Sequence, residues 1–476
     1  DFYGKLGIGH VRLKIVGTQN CLQPLLGCKY SLVLAHNGEI YNFQSLKEEL
    51  KNHNFETDAD SEVIVHLIEE NFEKDLVNAV KKSLPKLDGD YAFAITDGKV
   101  IVVVRDPIGV KPVYLGENKQ FIAFASERKA LWAIGIKEAW ALEPRELAII
   151  TTTGIKIEQA HTFSRPQLTK FSENEAVEKL NCALRKSIEK RAQNIEKVGV
   201  IFSGGIDSSL VAKFLSNCQV KVTLYTAGMK GSEDLIHAEN TAKDLGLPIK
   251  LQELKLEEFE TLVKKTLYAI EEINPIQVGI ALPIYAATAL AHKDEEKVLL
   301  AGQGADELFG GYYRYHKTLK KEGNKALENL FWNDLLEIYK ANLQRDDAAT
   351  MANSLELRVP FLDLAIVNFA LSLPNELKIQ TQNGFQTKYI LRKIGDLVQL
   401  PKYVVARPKK AIQYGTKTQK ALENVAKKYG FNRYLSKKVG YGGDFVWLYL
   451  DSLAYKLDML EQTKAQKVAD ILEAMK

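Results

Sequence analysis

Cysteine is scarce: four residues in 476, Cys21, Cys28, Cys182 and Cys218, with no CxxC pair among them. That count builds neither a disulfide framework nor a CxxC-type site, and it fits a reduced, intracellular chain. No apolar run approaches the roughly 18 residues of a membrane span, and no signal peptide opens the chain. A cytoplasmic location without a membrane partner is therefore expected. Surplus charge is missing too. The 64 Lys and Arg against 60 Asp and Glu leave +4, too little to draw the whole chain toward nucleic acid or a membrane surface. Internal repeats and low-complexity tracts are absent, which excludes repeat architectures. The sequence starts at Asp1 rather than Met, so its true start is expected to lie upstream.

What remains is a globular composition, 46% hydrophobic and 26% charged, in a chain long enough for two or three domains. The texture changes near residue 170. Before it, short β-rich runs dominate: Ile8–Val16, Ser31–Ala35, Tyr91–Thr96, Val100–Arg105, Phe121–Ala125 and Leu147–Thr152. Ser45–His53 and Ser61–Phe72 carry apolar residues three or four apart and read as helices. This pattern predicts a sandwich of sheets with a helical layer. The polar stretch FSRPQLTKFSE, residues 163–173, is the expected linker, and a helix over Glu173–Gln193 follows. Strands Lys197–Phe202, Val220–Thr226, Ile249–Leu254 and Lys297–Ala301 then alternate with helices Asp234–Leu245, Glu257–Ile270 and Ile280–His292. Such alternation implies an α/β, doubly wound parallel sheet with ligands at the carboxyl ends of its strands. Beyond about Asn324 the patterns are mostly helical.

The stretch Val198–Val211 reads VGVIFSGGIDSSLV, a buried strand running through a glycine turn into a helix. Glycines let the backbone approach a ligand closely, and the free N–H groups of the helix start attract an anion. Hydroxyls on Ser203, Ser208 and Ser209 can donate to phosphate oxygens, and Asp207 can hold a magnesium ion against them. A Ser/Asp-capped helix after a turn is the plain alternative. The string is not a GxxxxGK[ST] loop, because the lysine is missing. SGGxDS resembles the pyrophosphate loop of ATP pyrophosphatases, which cleave ATP between the α and β phosphates and adenylate an acceptor.

A second string, LLAGQGADELFGGY at Leu299–Tyr312, repeats the strand–glycine–acid order and offers Asp306 as a second metal or pyrophosphate contact. LELRVPFLD at Leu355–Asp363 and Lys388 in QTKYILRK complete the set. Together these resemble the synthetase domain of glutamine-dependent asparagine synthetases, and the likeness covers nearly the whole chain. The N-terminal third carries RLKIV (12–16), NGEIYN (37–42), DADSEVI (58–64), GDYAFAITD (89–97), RDPIGVKPVY (105–114) and ASERKAL (125–131). These resemble the family's glutaminase domain, an αββα N-terminal-nucleophile hydrolase fold. Taken alone, NGE between apolar runs reads as a turn.

The resemblance implies a glutaminase domain over 1–165 and an ATP-pyrophosphatase synthetase domain over 172–476. It implies that Arg12 with Leu13, Lys14, Ile15 and Val16, then Asn37, Gly38, Glu39 and Asp60, line the glutamine pocket. Arg12 would meet the substrate carboxylate and Asp60 its ammonium, with Asn37 and Gly38 donating to the oxyanion. ATP would lie against Phe202, Ser203, Gly204, Gly205, Asp207, Ser208, Ser209, Ala227, Ala301 and Gly302. Asp207 and Asp306 would hold Mg2+, and Lys388, Gln303 and Glu307 would act on the reacting groups. The implied partners are small molecules (aspartate, glutamine or ammonia, ATP), with no nucleic acid and with a homodimer left open.

Two departures matter. The family's glutaminase nucleophile is a cysteine at the mature N-terminus followed by an HRGPD-type segment, and neither appears. Cys21 and Cys28 read as structural or neutral. Either the first residues are missing or glutaminase activity is lost, and the intact pocket residues favour the first. Familiar members read SGEGSDE where this chain reads AGQGADE. An amide at Gln303 cannot take the proton from attacking ammonia. Glu307, Glu271, Glu272 or a phosphate oxygen are the expected substitutes, and a different carboxylate acceptor, of β-lactam type or other, stays open.

One further feature is a basic run: eleven Lys and Arg between Lys402 and Lys438 against the single acid Glu423. It reads equally as a solvated helical face or as a cationic rim drawing in ATP, with Arg407, Lys409 and Lys410 nearest Lys388. A non-catalytic, RNA-associated relative is the remaining alternative.

Overall fold

The computed structural model describes residues 6–17, 21–381, 385–460 and 462–474. They divide into two compact units, Asp1–Ser164 and Arg165–Lys476.

The N-terminal unit is built on strands β1 (Leu25–Leu26), β2 (Val33–Ile40), β3 (Gly89–Thr96), β4 (Ile101–Arg105), β5 (Tyr114–Glu117), β6 (Ile122–Ala125), β7 (Ala139–Ala141), β8 (Glu146–Thr151) and β9 (Gly154–Gln159). Six of them form an antiparallel sheet in the order β1-β2-β3-β4-β8-β9, and β6-β5-β7 form a second sheet. Period-two alternation explains the layering. Tyr91, Phe93, Ile95, Val102, Val104 and Leu147 pack on the helix Glu62–Glu70 through Val63, Ile64, Leu67 and Ile68. The intervening Ala92, Ala94, Ile101, Val103, Ala148 and Ile150 pack with Val113, Leu115 and Leu142 from the second sheet's side. Leu131 of the helix Arg128–Ala133 joins Tyr114 and Ile136 on that sheet. The helix–sheet–sheet–helix order expected from the resemblance is the one observed. Each fully buried Ile, Leu or Val in these layers contributes roughly 1.5–3 kcal/mol.

Two N-terminal readings need correction. Ile8–Val16 is irregular rather than a strand; Val11 is 98% exposed, and Arg12 Nη2 closes a local loop onto the Val16 carbonyl at 2.6 Å. A β-rich composition forms a strand only where a neighbouring ladder receives its N–H and C=O groups. Asn37-Gly38-Glu39 is no turn; it lies inside β2, with Asn37 opposite Ala92 and Gly38 opposite Tyr91 of β3.

The RDPIGVK string is architectural. Asp106 Oδ1 accepts the N–H groups of Ile108, Gly109 and Val110, and its Oδ2 accepts that of Lys111. The buried Arg105 donates to the carbonyls of Gly109, Lys111 and Leu142.

The C-terminal unit contains a five-stranded sheet of β10 (Lys197–Ile201), β11 (Lys221–Met229), β12 (Ile249–Leu254), β13 (Val298–Leu300) and β14 (Glu356–Arg358). The order is β12-β11-β10-β13-β14, and every pairing is parallel. Strand order therefore reverses between β10 and β13, where a doubly wound sheet opens its crevice. β14 comes from LELRVPFLD, which acts as a clamp. Arg358 Nη1 donates to the Arg191 carbonyl at 2.7 Å, and Asp363 lies 2.9 Å from Arg191 and 2.6 Å from Lys190.

The helix Pro275–Lys293 corrects the expectation about apolar runs. Its 19 residues are long and apolar enough to cross a membrane by length and composition, with 61% of the window buried inside the unit. Gly279, Pro283, Tyr285 and Thr288 interrupt its aliphatic residues, which hides the stretch in the sequence.

Lys378 is buried with its ammonium 4.3 Å from the centre of the Phe331 ring. Burial, with Arg165 nearby, lowers its pKa to about 7 from an ordinary 10.5. Between those values the unfolded chain holds a proton that the folded chain has released, so this group costs stability as pH falls through the window and adds no further cost below it. Lys378→Met should raise unfolding stability near pH 7 by on the order of 2 kcal/mol. The gain should shrink toward pH 10. Melting curves across that range test it, and a gain independent of pH would refute the assignment.

Candidate active site

Two loops meet at the switch point of the parallel sheet. After β10 the chain runs through Phe202–Gly205 into the helix Ile206–Leu215, whose N-cap, Gly205, supplies no side-chain cap. Its first N–H groups stay available to an anion. Ser203 and Ser208 are joined only by long contacts. Their hydroxyl oxygens lie 3.3 Å apart, Ser208 Oγ accepts the Ser203 N–H at 3.3 Å, and Ser203 Oγ accepts the Gly205 N–H at 3.3 Å. A phosphate oxygen could replace each at little cost.

After β13 the second loop, Ala301–Gly304, leads into the short helix Ala305–Phe309. Close approach sets the residue types here. A Cβ on Gly302 would sit 2.7 Å from Asp207 Cβ, and one on Gly311 would fall 1.7 Å from Asp306 Oδ1 and 2.5 Å from Lys388 Cε. Only glycine fits at either position.

Lys388 links the loops. Its Nζ lies 2.5 Å from Asp207 Oδ2 and 2.5 Å from Asp306 Oδ1, with its side chain 2% exposed. Lys409 Nζ lies 2.5 Å from Asp306 Oδ2. Burial alone would raise the Asp306 pKa, but Lys388 and Lys409 outweigh it and hold the carboxyl at about 2. The same acids push Lys409 above its ordinary value in spite of its own desolvation. Asp207 Oδ1 is buried with no hydrogen-bond partner. A buried carboxyl oxygen without a hydrogen-bond partner, beside a second carboxyl group, suits a hard divalent cation.

These groups line one cavity of about 420 Å³, within the range of small-ligand sites. Phe202, Ser203, Gly205, Asp207, Ser208, Ala227, Ala301, Gly302, Gln303, Asp306 and Lys388 all lie on its wall. Thr226, Ile280, Ile284 and Ile412 give it an apolar flank, and Arg407, Lys409 and Lys410 a cationic one. The basic run thus divides. These three reach the cavity, while Lys402, Lys417, Lys420, Lys427, Lys428, Arg433, Lys437 and Lys438 are exposed on the surface.

Five expected residues are not on the wall: Gly204, Ser209, Glu271, Glu272 and Glu307 are absent from the lining. Ser209 sits in the core behind the loop, its hydroxyl buried and unpartnered. Glu272 is turned back on its own loop, accepting the N–H groups of Ile273 and Asn274. Glu307 Oε1 accepts Tyr312 Oη–H at 2.6 Å and the Asn342 amide at 2.7 Å. Burial and then Asp306 raise its pKa.

Sequence reasoning missed Asp346. It lines the cavity beside Gln303, whose Nε2 donates to its Oδ2, and Arg345 Nε donates to its Oδ1 at 2.7 Å. Burial raises the Asp346 pKa against the pull of Arg345 and Gln303. No motif marks it, because QRDDAAT reads as an ordinary helix; only its position across from Gln303 is informative.

In the N-terminal unit the expected glutamine-site segments converge. A Cβ on Gly17 would meet Ala59 backbone at 3.2 Å, so the stretch following Arg12, Leu13, Lys14, Ile15 and Val16 abuts Ala59 beside Asp60. Asp60 Oδ2 accepts the Ile40 N–H at 2.8 Å, which brings it to the end of β2 behind Asn37, Gly38 and Glu39. Asn37 Nδ2 reaches Ser126 Oγ at 3.4 Å.

Residues 2–178 match the glutamine amidotransferase domain family, and residues 179–326 and 319–441 match the asparagine synthase family. A Methanocaldococcus jannaschii protein, provisionally named asparagine synthetase 1 (glutamine-hydrolyzing), is 40% identical over 91% of this chain and 86% of its own length. Asparagine synthetase 2 (glutamine-hydrolyzing) of Oryza sativa subsp. japonica is 31% identical, covering 86% and 70%. The Gallus gallus asparagine synthetase (glutamine-hydrolyzing) is 29% identical, covering 91% and 84%.

Lys388→Met removes the cation that the buried Asp306 and the half-buried Asp207 share, and should cost about 3 kcal/mol of unfolding stability in the C-terminal unit. Adding Asp207→Asn should recover part of that loss by removing one uncompensated charge. Urea unfolding of the single and double variants reads both numbers; a double variant no more stable than the single one would refute the shared-cation description.

Proposed function

The chain belongs to the glutamine-hydrolysing asparagine synthetase family, and from that premise we propose that its C-terminal unit uses ATP to convert aspartate to asparagine. The observation that carries this reading is the ladder Asp207–Lys388–Asp306–Lys409 across two strand–helix loops at a sheet switch point. A free carboxylate is a poor electrophile at neutral pH, so amide formation needs a better leaving group. The aspartate side-chain oxygen attacks the α phosphorus of ATP and pyrophosphate departs, leaving a mixed acyl-phosphate anhydride. Ammonia then attacks the acyl carbon, AMP leaves with the bonding electrons, and the surplus proton passes to a base.

Each group has a physical task. The Ser203–Ser208 loop and the open helix start receive phosphate oxygens, and Thr226, Ala227, Ile280 and Ile284 flank the base. Lys388 and Lys409 give their charge to the departing pyrophosphate, where preorganised cations in a water-poor site act most strongly. Asp207 and Asp306 would hold Mg2+, which neutralises phosphate charge when bound. Arg12, Asn37, Gly38 and Asp60 of the N-terminal unit bind glutamine, the ammonia source of this family. Four free cysteines suit the reducing cytoplasm expected for such an enzyme.

Asp346 is the base in this reading. Gln303 cannot accept a proton, but it holds by hydrogen bond a carboxylate whose proton affinity is raised. The acid has moved one side chain along, from position 303 to its partner. The same substitution favours one alternative, in which the adenylation is unchanged but the acceptor is another carboxylate.

Exchange of radiolabelled pyrophosphate into ATP, run against a panel of carboxylates, separates the two: aspartate should support it, and exchange with a different acid alone would overturn the assignment. Asp207→Asn should lower that exchange about a hundredfold or more without unfolding the chain. Asp346→Asn should leave exchange within a few-fold and slow amide formation about a hundredfold, with partial rescue by Gln303→Glu in the same chain. Equal loss of both half-reactions would remove Asp346 from the proton-transfer role.

A further inference from the structure

We propose that Cys28, His53, His66 and Glu69 form a tetrahedral zinc site inside the N-terminal unit. The four offer one ligand atom each, all within 4.8 Å of one another, and His53, His66 and Glu69 are buried. Zinc bonds of about 2.0 Å to nitrogen or oxygen and 2.3 Å to sulfur give tetrahedral edges of roughly 3.3–3.6 Å. The observed edges are 3.4 Å for Cys28 Sγ to His53 Nδ1 and 3.5 Å for Cys28 Sγ to Glu69 Oε2. His53 Nδ1 to Glu69 Oε2 is 3.4 Å, and His66 Nδ1 to Glu69 Oε2 is 3.0 Å. These four of the six edges stand near ligand spacing, and the other two, from His66 to Cys28 and to His53, lie within 4.8 Å.

The outer contacts point the same way. Both histidines turn Nδ1 inward and have Nε2 against a carboxylate: His53 on Glu70 at 2.7 Å, His66 on Glu62 at 3.3 Å. Metal-bound imidazoles are characteristically held in this manner, which fixes the tautomer and raises ligand basicity. Glu62 is itself fixed by the N–H groups of Glu56 and Thr57. Glu69 is fixed by those of Cys28, Lys29 and Tyr30. Lys29 also contacts His53 Nε2 and Glu70, at 2.9 and 3.1 Å; its side chain is 36% exposed and can turn to solvent when Nε2 carries the proton. A thiolate and a carboxylate together balance the charge of one divalent ion. Mixed sulfur, nitrogen and oxygen donors in a closed set of four select zinc over magnesium or calcium.

The ion would tie the loop before β2, the turn after the helix Phe43–Glu49 and the helix Glu62–Glu70 into one piece. Its role is structural, since all four positions are filled by protein.

The full chain, produced with zinc in the medium and freed of loose metal by gel filtration, should retain about one zinc per chain by elemental analysis. Cobalt substitution should give a tetrahedral ligand-field spectrum with a thiolate charge-transfer band, and Cys28→Ser should delete that band. Glu62→Gln keeps all four ligands, so it should preserve the cobalt spectrum while weakening zinc affinity about 10- to 100-fold. Circular dichroism checks that each variant folds. Zinc below about one per ten chains with no tetrahedral cobalt spectrum in the folded protein would overturn the site, as would full occupancy by another metal.

Discussion

Lys388 is the residue on which the C-terminal architecture converges. A doubly wound sheet brings the ends of β10 and β13 together, but two loops that each carry an aspartate into one cavity would repel one another. A single ammonium between the half-buried Asp207 and the buried Asp306 turns that repulsion into a bridge. Its backbone is held in the left-handed region, φ 53°, a conformation that costs on the order of 1–3 kcal/mol for a residue with a side chain. The ion pairs hold it there. Gly302 and Gly311 follow from the same constraint, because any larger residue would occupy the space of Asp207 or Asp306.

Much of this arrangement is legible in the sequence. The parallel sheet follows from alternating strand and helix patterns, and both loops at the cavity follow from glycine and acid placed where a strand becomes a helix. Where the reading fails, the missing information is always tertiary. Ile8–Val16 has strand composition, but no ladder among the described residues receives it. NGE has turn composition, yet β3 pairs with it residue by residue. β14 is three residues long, too short for any periodicity, and exists because β13 offers an edge. Asp346 and the Cys28–His53–His66–Glu69 group are assembled from segments with no shared spacing rule, so only folding brings them into register.

Acidic residues illustrate how little residue type decides. Glu307 follows Asp306 directly, yet it is turned from the cavity and held by Tyr312 and Asn342. Asp346 lies 43 residues beyond Gln303 and stands on the cavity wall beside it. In the N-terminal unit, Asp106 is buried for architecture alone, its two oxygens saturated by four backbone N–H groups. Whether a buried acid serves folding or chemistry is settled by what its second lone pairs meet.

The Lys388–Asp306–Lys409 ladder has one more consequence, for traffic through the site. The cavity carries its own counterions, and each lysine is engaged by a carboxylate. An incoming anion must compete with those aspartates for both ammonium groups. A ligand bearing a chain of phosphates, with a divalent ion to satisfy the acids, replaces both sides of the pairing at once. A lone monophosphate brings too little charge to do so and meets lysines that are already matched. The resting ion pairs are therefore an electrostatic threshold, one that a chain of phosphates would meet more readily than a single phosphate.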